Sequence, residues 1–172
     1  MTRTLPLLAL VLTLLSTACC ATGGELVNGS YHDAKVSYRL AEPGEGWRRL
    51  DLAAANVAWF NDALAASLMT NSHCEGVKDA PLTGLTEDLL IGLTDRVVVS
   101  QQTRPCSRRE ALETIVSGKL DGVDRKLALL VLKKDGCVYD IVLGAGPEHF
   151  DAALVAFARV RDGFDVDARA RR

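Results

Sequence analysis

Two Asp-Gly dipeptides, Asp121-Gly122 and Asp135-Gly136, constrain this chain more than any other feature. Each lies between runs of aliphatic and β-branched residues. Asp-Gly is a preferred pair for the two-residue type I′ hairpin turn, because both central residues of that turn need positive φ. The two turns divide 112–120, 123–133 and 137–143 into a three-stranded antiparallel meander. Residues 108–116 also allow a helix, so the start of the first strand stays open.

Around the meander the periodicity changes twice. Val36, Tyr38 and Leu40 alternate with Ser37 and Arg39, a short strand ending at Pro43-Gly44. Trp47 and Leu50 bracket Arg48-Arg49 at the lead-in to another strand. The alanines of 52–69 favour helix, but Asn61-Asp62 fits a turn between 57–60 and 65–69, and we read two strands. Asp79-Ala80-Pro81 opens a helix, with Asp79 as its cap and Pro81 in its first turn. Leu82, Leu85, Leu89 and Leu93 line one face of that helix. Val97-Val98-Val99 suits a buried strand within 96–101. After Gly146-Pro147, the residues Phe150, Leu154, Phe157 and Val160 recur at helical spacing, with Gly163 as C-cap and Phe164 packing back. Antiparallel strands with two main helices make an α+β layer architecture.

The first nineteen residues read as a targeting signal. Arg3 gives a basic start, 5–15 is an apolar stretch too short to span a bilayer, and Ser16-Thr17-Ala18 leads into Cys19-Cys20. A small residue directly before a cysteine resembles the lipobox, where the peptide is cut and the cysteine acylated with palmitate-type chains. We expect 1–18 to be a lipoprotein signal peptide, Cys19 (alternatively Cys20) the lipidated residue, and 19–30 a flexible tether. Residues 31–166 then form a single domain, and 167–172 a basic tail carrying Arg169, Arg171 and Arg172. Loss of Arg3 changes 20 basic against 22 acidic residues into 19 against 22, from −2 to −3. That balance excludes an electrostatic footprint for nucleic acid.

Candidate chemistry is sparse. Of Cys74, Cys106 and Cys137, an oxidising compartment pairs two, and the residues alone leave three pairings open. There is no C-x-x-C and no H-x-x-x-H, so no metal site is expected, and no cofactor. Cys74 as nucleophile would need His73 or His149 as base, but neighbours on a strand point to opposite faces, which separates Cys74 from His73. A Cys-dependent hydrolase is therefore the least favoured reading, and no catalytic residue is assigned. Glu87-Asp88 and Asp165/Asp167 read as solvated acids at helix ends, and Asp95-Arg96 and Asp124-Arg125-Lys126 as exposed charge pairs. Trp47 beside Arg48 and Arg49 is the candidate interaction surface, since Trp and Arg dominate interface energetics.

A short strand leading into Pro43-x-x-x-Trp47, a central helix, the meander, and a last helix closing with Phe157-x5-Gly163-Phe164 resemble the PsbP-like fold over roughly 36–166. That family includes an extrinsic photosystem II protein, a nuclear-import factor that binds the GTPase Ran, and small bacterial envelope lipoproteins. More narrowly, Asn71-Ser72-x-Cys74, Leu90-Ile91-Gly92-Leu93-Thr94-Asp95 and Lys134-Asp135-Gly136-Cys137-Val138-Tyr139-Asp140 resemble a group of bacterial envelope lipoproteins of uncharacterised role. The resemblance implies a Cys74–Cys137 disulfide, because both cysteines fall within those motifs and Cys106 does not. It also implies a non-catalytic module, lipid-anchored and periplasm-facing, that binds or helps assemble another envelope protein. The residue after the lipidated cysteine, Cys20 or Ala21, is not Asp, which favours the outer membrane. The alternative is an accessory or carrier for a lipid or small apolar ligand beside an envelope transporter, which a deep apolar pocket would favour.

Overall fold

The computed structural model of the protein describes residues 24–77 and 79–167. The elements follow as β1 Glu25–Val27, β2 Ser30–His32, β3 Ser37–Arg39, β4 Trp47–Leu50, β5 Val57–Asn61, β6 Ala66–His73, α1 Leu82–Leu89, β7 Leu93–Cys106, β8 Arg109–Leu120, β9 Val123–Lys134, β10 Cys137–Ala145, α2 Phe150–Asp162 and β11 Asp165–Val166. Seven strands form one sheet in the order β4-β5-β6-β10-β9-β8-β7, and four short ones form a second, β1-β2-β3-β11. The pairing is antiparallel throughout.

Asp121-Gly122 and Asp135-Gly136 are the turns of the meander, and all four residues have positive φ. Leu120 faces Val123 across the first turn and Lys134 faces Cys137 across the second. The open question at 108–116 resolves as strand, since β8 starts at Arg109. The meander has a fourth strand that the dipeptide signal did not mark. Ser107 and Arg108, at φ 49° and 60°, turn the chain from β7 into β8 without a glycine.

Four other expectations change. Residues 25–30, expected in the tether, belong to the β1–β2 hairpin, whose Asn28-Gly29 turn has φ 50° and 74°. Asp79 does not cap α1: Pro81 is the N-cap residue without a side-chain bond, and Asp79 instead accepts from Lys133 Nζ at 3.1 Å. Leu93 opens β7 beyond a turn through Gly92, at φ 92°, rather than continuing α1. Finally, Val97, Val98 and Val99 are in a strand but not buried, being 60%, 53% and 54% exposed. β7 is the outer edge of the sheet, so they lack neighbours on that side.

The sheet buries both faces at its centre. On one face α2 brings Phe150, Ala153, Phe157 and Val160 against Leu68, Leu130, Leu132, Ile141 and Leu143, and the small sheet adds Tyr31, Tyr38 and Val166. On the other, α1 and its following turn set Leu90 and Leu93 against Val116 and Leu129. Residues 128–132 of β9 are therefore all inaccessible, which explains an apolar run there with no period of two. Tyr38 sits between Tyr31, Tyr139 and Phe164, and its hydroxyl bonds Thr70 Oγ1 at 3.0 Å. Burial pushes that phenol far above its ordinary pKa.

Candidate functional site

The expected signal peptide 1–18, Cys19, Cys20 and the tail arginines Arg169, Arg171 and Arg172 lie outside the described residues. Among the described residues no helix is long and apolar enough to cross a membrane, and no cluster of three His, Cys, Asp or Glu side chains could hold a metal.

Cys74 and Cys137 are joined in a disulfide, with Cα atoms 4.1 Å apart, where β6 runs out and β10 begins. A bonded Cys74 has no thiolate to offer, which removes the nucleophile of the hydrolase reading. His73 is exposed at the end of β6, and His149 is the N-cap residue of α2, beyond the far end of β10, roughly 25 Å along that strand. Among the described residues Cys106 is the free cysteine, half-buried. Burial pushes its pKa up to about 11, so it is a thiol at neutral pH. The acids near the helix ends are mostly engaged. Asp165 accepts from Ser107 Oγ at 2.8 Å and pairs with Arg39, and Glu87 pairs with Arg96. Asp95 pairs with Lys119 rather than its neighbour Arg96.

The structure separates Arg48 from Arg49. They are successive residues of β4, so they project to opposite faces of the sheet. Arg48 binds Asp62 through Nε at 2.7 Å and Nη2 at 3.0 Å and lies over Phe60. Arg49 lies over Trp59, which is buried and donates its indole N–H to Glu42 at 2.9 Å. Trp47 packs half-buried against the core. The three residues thus finish a four-residue edge strand with charges on both faces, the usual way an edge is protected from pairing.

The opposite edge is different. β7 runs for 14 residues, and nearly all of them are exposed. Its inner side pairs with β8. Its outer side carries no strand, so its outward N–H and C=O groups have no ladder partner. Two register irregularities, between Thr94 and Val97 and between Val98 and Ser100, bend its first half, whereas Ser100 to Cys106 pairs without interruption. Sequence reasoning missed this surface because three consecutive valines resemble a core strand. The polar run that follows them, Ser100-Gln101-Gln102-Thr103, was the available sign of an edge.

The two ends of the sheet also differ. One end gathers Gly24, Asp167, the disulfide and the turns Ser107-Arg108 and Asp135-Gly136. The other, roughly 40 Å away along β9, holds the Asp121-Gly122 turn with Leu120, Val123 and Ile91 exposed at 46%, 54% and 81%.

No protein-family model matches the chain, and no curated protein matches its sequence. Among solved structures it is similar to the crystal structure of LpqN, involved in cell envelope biogenesis of Mycobacterium tuberculosis. That likeness has 13% identity and a TM-score of 0.58, over 80% of this chain and 88% of the other. It is also similar to the solution structure of cyanobacterial PsbP (CyanoP) from Synechocystis sp., with 15% identity and a TM-score of 0.58, over 87% and 96% of the two chains. The fold is PsbP-like. The α+β class and its layering read from the residues agree with it, and identity this low carries the fold without any residue's role.

Proposed function

We propose that the protein is a non-catalytic, lipid-anchored envelope module that docks an extended segment of another envelope protein along β7. The single observation carrying the docking surface is the unpaired, 14-residue β7 edge with Val97, Val98 and Val99 exposed on it. Strand addition at such an edge takes its affinity from main-chain hydrogen bonds and its selectivity from alternate side chains. Pairing with a second copy about Ser100 would set Arg96 against Arg104 twice, so a partner strand of different sequence fits better. Support for the envelope setting comes from the signal-like start leading into Cys19-Cys20 and from the involvement of the structurally similar LpqN in cell envelope biogenesis. The anchor is the acylated Cys19, or Cys20, with the outer membrane favoured by the residue that follows.

Among the described residues, the place where the carrier reading needs a pocket is packed solid. Phe150, Phe157, Ile141 and Leu143 are fully buried and fill the space between α2 and the sheet. Of the possible interaction residues, Arg48 is committed to Asp62, and Arg49 faces the other way.

Two measurements test the reading. The intact mass of native protein from membranes should show an acylated cysteine at the mature amino end, and an unmodified chain still carrying Met1 would end the anchor proposal. For docking, a photo-crosslinker at Val98 should capture an envelope protein, and the captured partner should slow amide exchange at 100–103. Val97→Lys with Val99→Lys should abolish both effects while leaving the unfolding midpoint unchanged. Equal capture from Arg48, or capture with no exchange protection on β7, would refute strand addition.

A further inference from the structure

A broad concavity of the described molecule lies away from the β7 valines. It is an open groove of about 920 Å³ between the start of α1 and the β7–β8 hairpin, where Pro81 and Leu82 face Thr103 and Pro105. Four cationic side chains line it, Arg104, Arg108, Arg109 and Lys133, against one acid, Glu110. Two of the four are held by other groups. Arg104 Nη1 binds both oxygens of Glu113 at 3.0 Å, and Lys133 Nζ donates to Asp79 and to the Ala80 carbonyl. Arg108 and Arg109 are exposed and form no ion pair among the described residues. The first N–H groups of α1 open beside the groove with no side-chain cap, which adds donors and partial positive charge to the same rim.

The groove's position says what it meets. It sits at the end of the sheet where the described chain both starts and stops. Ser107, next to Arg108, accepts from the Val166 N–H of β11 at 2.9 Å, and β11, β3, β2 and β1 follow in order to Gly24, about 14 Å away at ordinary strand spacing. Between Cys19 and Gly24 there are five peptide links, at most about 18 Å of chain. An acylated Cys19 therefore keeps this end, and not the far one, at the bilayer surface. The tail with Arg169, Arg171 and Arg172 follows Asp167 from the same end.

We propose that the groove binds the phosphate of anionic phospholipid headgroups, with Arg108 and Arg109 as the contacting residues, and so fixes the orientation of the domain on its membrane. The proposal rests on the lipid-anchor reading, and its test separates the two. Full-length protein is reconstituted in nanodiscs of neutral phosphatidylcholine, or of phosphatidylcholine doped with anionic phosphatidylglycerol, and amide exchange is followed at 81–84 and 103–110. Retention in neutral discs reports the anchor alone. Anionic discs should slow exchange of both segments several-fold relative to neutral discs while 128–132 stays unchanged. Arg108→Glu with Arg109→Glu should remove the difference, about fivefold per charge, the fold-change equivalent of ~1 kcal/mol per basic side chain near an anionic surface. Soluble glycerol phosphate added to neutral discs should not reproduce the effect. If it does so fully, the site is one for free phosphate and the membrane assignment fails. Identical exchange in both kinds of disc, with the protein still retained, overturns the inference and leaves the anchor standing.

Discussion

Lys134 is a lysine only 9% exposed, with no carboxylate bound to it among the described residues. Its Nζ donates to the Val166 carbonyl at 2.6 Å and to Ser107 Oγ at 2.9 Å, and Ser107 in turn receives the Val166 N–H and donates to Asp165. One ammonium thus fastens the last strand to the β7–β8 turn. Lys134→Met should lower unfolding stability by about 1–3 kcal/mol, because a buried carbonyl loses its donor, and urea titration would measure it. Asp140 illustrates the opposite balance. It is buried, its pKa is raised by desolvation, and the bond from Asn71 Nδ2 at 3.1 Å offsets that only in part. A carboxyl with a raised native pKa stabilises the fold fully below its unfolded value, and the contribution is lost as pH rises through the native value. Asp140→Asn keeps the Asn71 bond and removes the charge. The variant should therefore be more stable than the parent at neutral pH, with the gap closing as pH falls below the ordinary carboxylate range. Parallel urea midpoints across pH would check this, and a pH-independent gap would contradict it.

At the scale of elements, the turns decide what was legible. Asp121-Gly122 and Asp135-Gly136 announced β8, β9 and β10 because type I′ geometry selects those residues. Ser107-Arg108 adopts the same left-handed backbone without a glycine, held by the hydrogen bonds of Ser107 to β11, so only the tertiary structure identifies it. Asn28-Gly29 carried the same signal, but strands of three residues are too short to show a period of two. The valines of β7 misled for a different reason: composition reports strand and is silent about which strand is outermost. The candidate surface was hidden for that same reason, since an edge belongs to the sheet order and not to the residues. Gly163 was legible as the end of α2 but for the wrong cause. Its φ is −88°, which any residue adopts, whereas a Cβ there would lie 2.6 Å from Ala41 Cβ and 2.8 Å from Ala41 N. Gly163→Ala should cost about 1–3 kcal/mol through overpacking against the 40–43 segment, read as a drop in melting temperature.

At the scale of the whole molecule, the disulfide closes a loop across 63 positions that includes β7, β8, β9 and α1. In the chain-entropy treatment a loop of that length stabilises by about 4 kcal/mol. Reduction should lower the urea midpoint accordingly, and Cys74→Ser with Cys137→Ser should reproduce the shift, with a midpoint that no longer responds to reductant. Alkylation before unfolding should leave Cys106 slow to react at neutral pH, in keeping with its raised pKa.

The separation of the chain ends from the apolar tips has a mechanical consequence. Under the proposed anchor, at most about 18 Å of chain joins the acylated cysteine to Gly24, and the body stands as a post rather than a buoy on a long line. The side chains of Ile91, Leu120 and Val123 then stand off from the lipid by roughly 4 nm, the span of β9. A dye attached at Ile91 should exchange energy poorly with an acceptor in the headgroup layer, and one at Gly136 should do so well. Anything that engages those tips has to rise to that height from the same bilayer or reach down from the layer above it.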